Sequence, residues 1–178
     1  MLELRLPRAT CPAAQYWAVQ GKSSAQEGLV KVQVHGLDLE IETLWARPLG
    51  DHLFELHNTP LYAYGLSWHD VVEARADTPD RFPVFVRVVE KSGFRTVRVI
   101  LKPPANVSDA SQAVLDGLRK LGCAYEGANH RFIAVDIPPM VDLMSVRAFL
   151  IASGQTWEHA DPTYEDLFPV PQTRDSAS

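Results

Sequence analysis

One change of hydrophobic period divides what this chain can fold into. Up to Leu101 the apolar residues recur at every second position within short segments. Leu29-Val30-Lys31-Val32-Gln33-Val34 alternates until His35-Gly36, and Leu37, Leu39 and Ile41 then face away from Asp38, Glu40 and Glu42. Such alternation puts one face of a pleated strand in a core and the other in water. Leu49-Gly50-Asp51 reads as a turn into Leu53-Phe54-Glu55-Leu56. Asn58-Thr59-Pro60 ends that strand, because proline cannot donate to a ladder and asparagine tolerates turn geometry. Val71 to Ala74, Phe82 to Glu90 and Phe94 to Leu101 follow, the last two joined through Lys91-Ser92-Gly93. Short strands at this spacing predict a small antiparallel β barrel over residues 29–92.

Beyond Pro103-Pro104 the period becomes helical. Ser108 is an N-cap residue, Val114, Leu118 and Leu121 share a face, and Gly122 stands where a C′ glycine belongs. Gly127-Ala128-Asn129-His130 separates two strand-like runs as a hairpin loop would. Pro138-Pro139 opens a second helix from Met140 to Ser153, ended by Gly154, and Gln155 to Ala160 reads as a last strand. Counted from Phe94 the order is β-α-β-β-α-β, which predicts a ferredoxin-like sandwich over 93–160 with two helices on one face of a four-stranded sheet. The expected fold is therefore α+β. An N-terminal arm over 1–28, with Tyr16-Trp17 docked, and an acidic tail over 161–178, pinned by Leu167 and Phe168, complete the expected organisation.

Charge and composition narrow the function classes. The net charge of −5 argues against nucleic-acid binding, which draws most of its affinity from phosphate neutralisation. Acidity concentrates late in the chain, where Glu158, Asp161, Glu165, Asp166 and Asp175 face Arg174 alone. A basic protein partner suits such a surface. No apolar run approaches the roughly 18 residues of a membrane span, and the N-terminal stretch lacks the pattern of a secretory signal, so a cytoplasmic location is expected. Cys11 and Cys123 are too few and too separated for a disulfide framework or a zinc site, and both are expected as thiols, with Cys123 buried.

No catalytic, metal or cofactor motif is present. His35, His52, His57, His69, His130 and His159 include no pair at helical or finger spacing, so no metal is expected. No phosphate-binding or dinucleotide glycine loop occurs, and no cofactor is expected. Asp70 beside His69 would point to the opposite face of a strand. Trp45 ends an alternating strand and reads as core. Trp68 follows Gly65-Leu66-Ser67 in a loop, where tryptophan serves either as core or as a contact anchor.

Four pieces of the chain carry a family resemblance: Glu42-Thr43-Leu44-Trp45, Asn58-Thr59-Pro60-Leu61, Asp70-Val71-Val72 and Ser92-Gly93-Phe94-Arg95-Thr96-Val97-Arg98. Together they resemble a bacterial domain family of unknown function whose short members show E-x-L-W, N-x-P-F, D-V-V and S-G-x-x-T-x-R in that order. The resemblance spans roughly residues 29–160. It departs at Leu61, where the family usually has phenylalanine, and at His69, where it often has glycine. It implies a bacterial cytoplasmic protein with the two-part fold and brings no catalytic residue with it. A general likeness to toxin-neutralising immunity proteins rests on size and acidity.

These features lead to a non-enzymatic binding protein, in its sharpest form an immunity protein that covers the active site of a nuclease-type toxin. Trp68 is the expected anchor, with Glu158, Asp161, Glu165 and Asp166 as rim. A regulatory or scaffold domain is the first alternative. An enzyme with a site near Asn58, His69, Asp70 and Arg95 is the second.

Overall fold

Five strands close into a barrel in a computed structural model that describes residues 28–35, 41–78 and 81–169. The expected arm up to residue 27, the strand portion at Leu37 and Leu39, and the tail beyond residue 169 lie outside the described residues. The barrel strands are β1 (Val30–His35), β2 (Ile41–Gly50), β3 (Leu53–Leu56), β4 (Val71–Arg75) and β5 (Val84–Glu90). Consecutive strands pair antiparallel, whereas β1 meets β5 in parallel, with Gln33 opposite Val84. Five strands laid alternately up and down leave the first and last running the same way. Closure therefore has to be parallel, which corrects the expectation of a wholly antiparallel barrel. Asp51 and His52 join β2 to β3 with φ of 49° and 63°. Two consecutive left-handed residues make the tight hairpin turn whose twist matches its strands. Val32, Val34, Leu44, Ala46, Leu56, Val72 and Ala74 fill the barrel, with Ala63 and Leu66 from a loop closing one end.

The second half contains β6 (Arg95–Ile100), α1 (Asp109–Lys120), β7 (Ala124–Gly127), β8 (Phe132–Ile137), α2 (Leu143–Ser153), β9 (Thr156–Asp161) and α3 (Tyr164–Leu167). Its sheet is antiparallel in the order β7-β8-β6-β9. Helix α2 begins at Leu143 rather than Met140. The Asp142 carboxylate accepts the Met144 and Ser145 amides at 3.2 and 2.9 Å, so the cap lies four residues past Pro138. The chain after Pro162 is more than a tail. Thr163 and Asp166 form a reciprocal capping box that starts α3, and Leu167 packs on the core beneath. Among the described residues no helix precedes Phe82.

Strands β6 and β8 are buried on both faces. Val97, Val99, Ile133, Val135 and Ile137 join Val114, Leu115, Leu118, Leu143, Val146 and Leu150 of the two helices in one core. The opposite face carries Thr96, Arg98, Ala134 and Asp136, all buried as well. The barrel's 57–70 loop covers that face, where Leu61 packs on Ala134 and Ala128.

Candidate functional site

The four pieces that carry the family resemblance meet where that loop lies between barrel and sheet. Glu42 is buried, and its carboxylate accepts the amides of Leu61 (2.6 Å), Tyr62 (3.0 Å) and Ala63 (3.0 Å). Burial pushes this carboxyl up, while the three amides and the charge on Arg98 pull it back. Asn58 accepts the Trp45 amide at 2.6 Å, which ties the same loop to β2. Thr59 donates to Asp136 on the sheet at 2.6 Å. Arg98, 2% exposed, donates to the Ala63 carbonyl and to Glu158 at 3.3 Å, and lies over the Tyr64 ring. Arg98 and Glu158 are register partners on β6 and β9, so the pairing follows from the sheet itself.

A second knot holds the end of the loop. Asp70 accepts the Ser67 amide at 2.9 Å, the Ser92 amide at 2.8 Å and the Lys91 ammonium at 2.7 Å. Lys91 also reaches Asp161 at 2.5 Å. The Ser67 hydroxyl donates to Asp161, so Thr96, 2.9 Å away, donates to Ser67. Arg95 donates to the carbonyls of Pro138 and Val141. Asn58 and Asp70 thus spend their polar atoms on backbone and on Lys91, while Arg95 gives one terminal nitrogen to two carbonyls and its buried Nε has no hydrogen-bond partner among the described residues. Of the expected enzyme set, only His69 faces a different environment. Cys123 is buried, and that burial pushes its thiol up to about 11, which removes it as a nucleophile at neutral pH.

Beside this knot the fold presents an aromatic cluster. Trp68 is half-buried, stacks on His69 at 4.3 Å between centroids and meets the edge of Phe94 at 5.4 Å. The neighbouring Gly93 lies against Pro139, and Met140 beyond it is 84% exposed. The expected acidic rim divides in two. Glu158 and Asp161 are drawn into the barrel–sheet contact by Arg98 and Lys91, so neither forms an exposed rim. Glu165 and Asp166 stand exposed on α3. The Thr163 hydroxyl and amide, helped by the charge on Lys91, hold the Asp166 carboxyl below its usual range.

Glu55, His57 and His69 form a further group that the sequence reading did not assemble. His69 Nδ1 hydrogen-bonds Glu55 Oε1, and His57 Nε2 lies 3.4 Å from the same oxygen. Glu55 and His57 are two residues apart at the end of β3, while His69 returns from the loop's far end, where its amide donates to the Leu56 carbonyl at 2.9 Å. No spacing rule links them; only the loop closure does.

A two-part α+β architecture with a polar clasp between its parts is the class of protein that fold and site define. The chain belongs to the family described as "Domain of unknown function (DUF4265)", which it matches over residues 42–160. A solved structure described as "Novel crystal structure of a hypothetical protein from Neisseria gonorrhoeae" is similar at 18% identity and a TM-score of 0.62, over 74% of this chain and 94% of that one. At that identity the likeness is one of fold. No curated protein matches the chain.

Proposed function

We propose that this is a non-enzymatic binding protein whose partner is a basic protein. The observation that carries the reading is a half-buried aromatic pair followed by exposed methionines, in a protein whose last helix carries exposed acid. Trp68 packs on Phe94, the adjoining Gly93 lies against Pro139, and Met140 and Met144 that follow are exposed, as are Glu165 and Asp166 on α3. Aromatic and methionine side chains supply adaptable apolar contact, and rim charges steer an oppositely charged partner. The polar residues of the clasp are engaged in holding barrel to sheet, which favours binding over catalysis. A nuclease-type toxin with a basic active site is the sharpest form of this reading, and a cytoplasmic location goes with it. The strand order β7-β8-β6-β9, with helices after β6 and β8, supports reading the second half as a ferredoxin-like sandwich.

Photo-crosslinking tests the proposal. A benzophenone side chain is placed at Met140, and separately at the exposed Val107 near the other end of β6. Capture of one basic polypeptide from Met140 but not from Val107, weakened by Glu165→Lys, is the expected result. No capture from Met140, or the same products from both positions, would overturn it.

A further inference from the structure

We propose that Glu55, His57 and His69 form a binding site for a divalent first-row transition ion, zinc being the ion their chemistry suits best. The three donor atoms lie within 4.8 Å of one another. Two imidazole nitrogens and one carboxylate oxygen are a donor set that zinc takes with a fourth position left open. Ligand atoms around such an ion stand roughly 3.3 Å apart, given metal–ligand bonds near 2.0–2.1 Å. The His57–Glu55 separation of 3.4 Å already matches, His69 lies closer to Glu55 than that, and the three donors together fall within 4.8 Å, so side-chain adjustment would bring them to the ion. The side chains are 21%, 15% and 33% exposed for Glu55, His57 and His69, so an ion can enter from solvent.

The surroundings hold the set in place. Arg47 approaches the other oxygen of Glu55, at 3.9 Å, and leaves Oε1 aimed at both rings. Trp68 backs the His69 imidazole, and Phe94 closes a second side. His69 itself sits at φ +66°, a left-handed conformation that favours glycine over any residue with a Cβ. A glycine there would relax the backbone, yet the chain carries an imidazole aimed at Glu55. Such local strain is a feature that ligand sites retain.

That conformation supplies a variant that keeps the fold. His69→Gly removes a ligand, and relief of the left-handed backbone offsets part of the lost contacts with Glu55, Trp68 and Phe94, so the variant should keep the fold. Untagged full-length protein, stripped with chelator, is titrated with Zn2+ by calorimetry and with Co2+ by visible absorption, beside His69→Gly, Glu55→Gln and the control His130→Ala. The expected result is one equivalent bound, with affinity at least about tenfold weaker in His69→Gly and Glu55→Gln and unchanged in His130→Ala. Absence of saturable uptake by the parent overturns the proposal. So does uptake that survives both ligand substitutions. Partner capture through Met140 does not depend on this outcome, so the two proposals fail separately.

Discussion

Glu42 fixes to the barrel the loop that covers the sheet, and removing its carboxylate gives a sharp test. In Glu42→Ala the amides of Leu61 and Ala63, both in buried residues, lose their acceptors. The Tyr62 amide, in a half-buried residue, can recruit water. A buried donor left unmet costs about 1–3 kcal/mol, so two cost roughly 4 kcal/mol, and relief of the carboxylate's own burial returns about 1 kcal/mol. The expected loss is about 3 kcal/mol. Glu42→Gln keeps one oxygen for Tyr62 and Ala63 but sets its amide group against the Leu61 amide, so about 2 kcal/mol is expected. The half-exposed pair Asp116–Arg119, 3.5 Å apart on α1, is the control, and Asp116→Asn should stay within about 0.5 kcal/mol. Urea unfolding followed by tryptophan fluorescence and far-ultraviolet circular dichroism measures all three variants. A Glu42→Ala loss below about 1 kcal/mol would refute the reasoning, because the three amides would then have found other acceptors at little cost.

Two further substitutions probe other parts of the packing. Lys91→Met leaves Asp70 and Asp161 buried without their cation and should cost about 2–3 kcal/mol in the same unfolding assay, less than the roughly 3–5 kcal/mol of a fully buried broken pair because Lys91 itself is 45% exposed. Gly117→Ala would put a methyl 2.2 Å from the Phe149 ring; overpacking of about 1–3 kcal/mol outweighs a helix-propensity gain of up to about 1 kcal/mol, and Gly117→Ala with Phe149→Leu should recover most of the loss.

The two halves were legible in the sequence because each rests on local periodicity. Val30 to Val34 alternates, Leu53 to Leu56 is a short apolar run between turns, and Val114 and Leu118 repeat at helical spacing, so their elements follow from short windows. What joins the halves was not legible. Ile41 and Glu42 take the opposite faces from those their alternation predicts, Ile41 being 56% exposed and Glu42 buried, and Thr96, Arg98 and Asp136 are buried because the 57–70 loop covers them, which nothing local in the sequence tells. The same blindness placed Glu158 and Asp161 on an exposed rim, although their cations lie 60 and 70 residues away in sequence. The parallel closure of the barrel was available from strand parity alone. The start of α2 was misread because Pro138-Pro139 is a strong opening signal, yet the Asp142 cap holds the first amides. Glu55, His57 and His69 illustrate the limit most clearly, since a ligand set made by loop closure leaves no spacing in the sequence.

The proposal of a basic partner is tested most directly by binding kinetics over a salt series, with the polypeptide captured through Met140 as partner. Glu165→Gln with Asp166→Asn should slow association at low salt and leave it unchanged at high salt, because rim charges act on encounter. Met140→Ala and Trp68→Ala should instead speed dissociation, with Trp68→Ala costing on the order of 2 kcal/mol in affinity. Association by the parent protein that is slow and independent of salt would contradict the proposal, whatever the affinity.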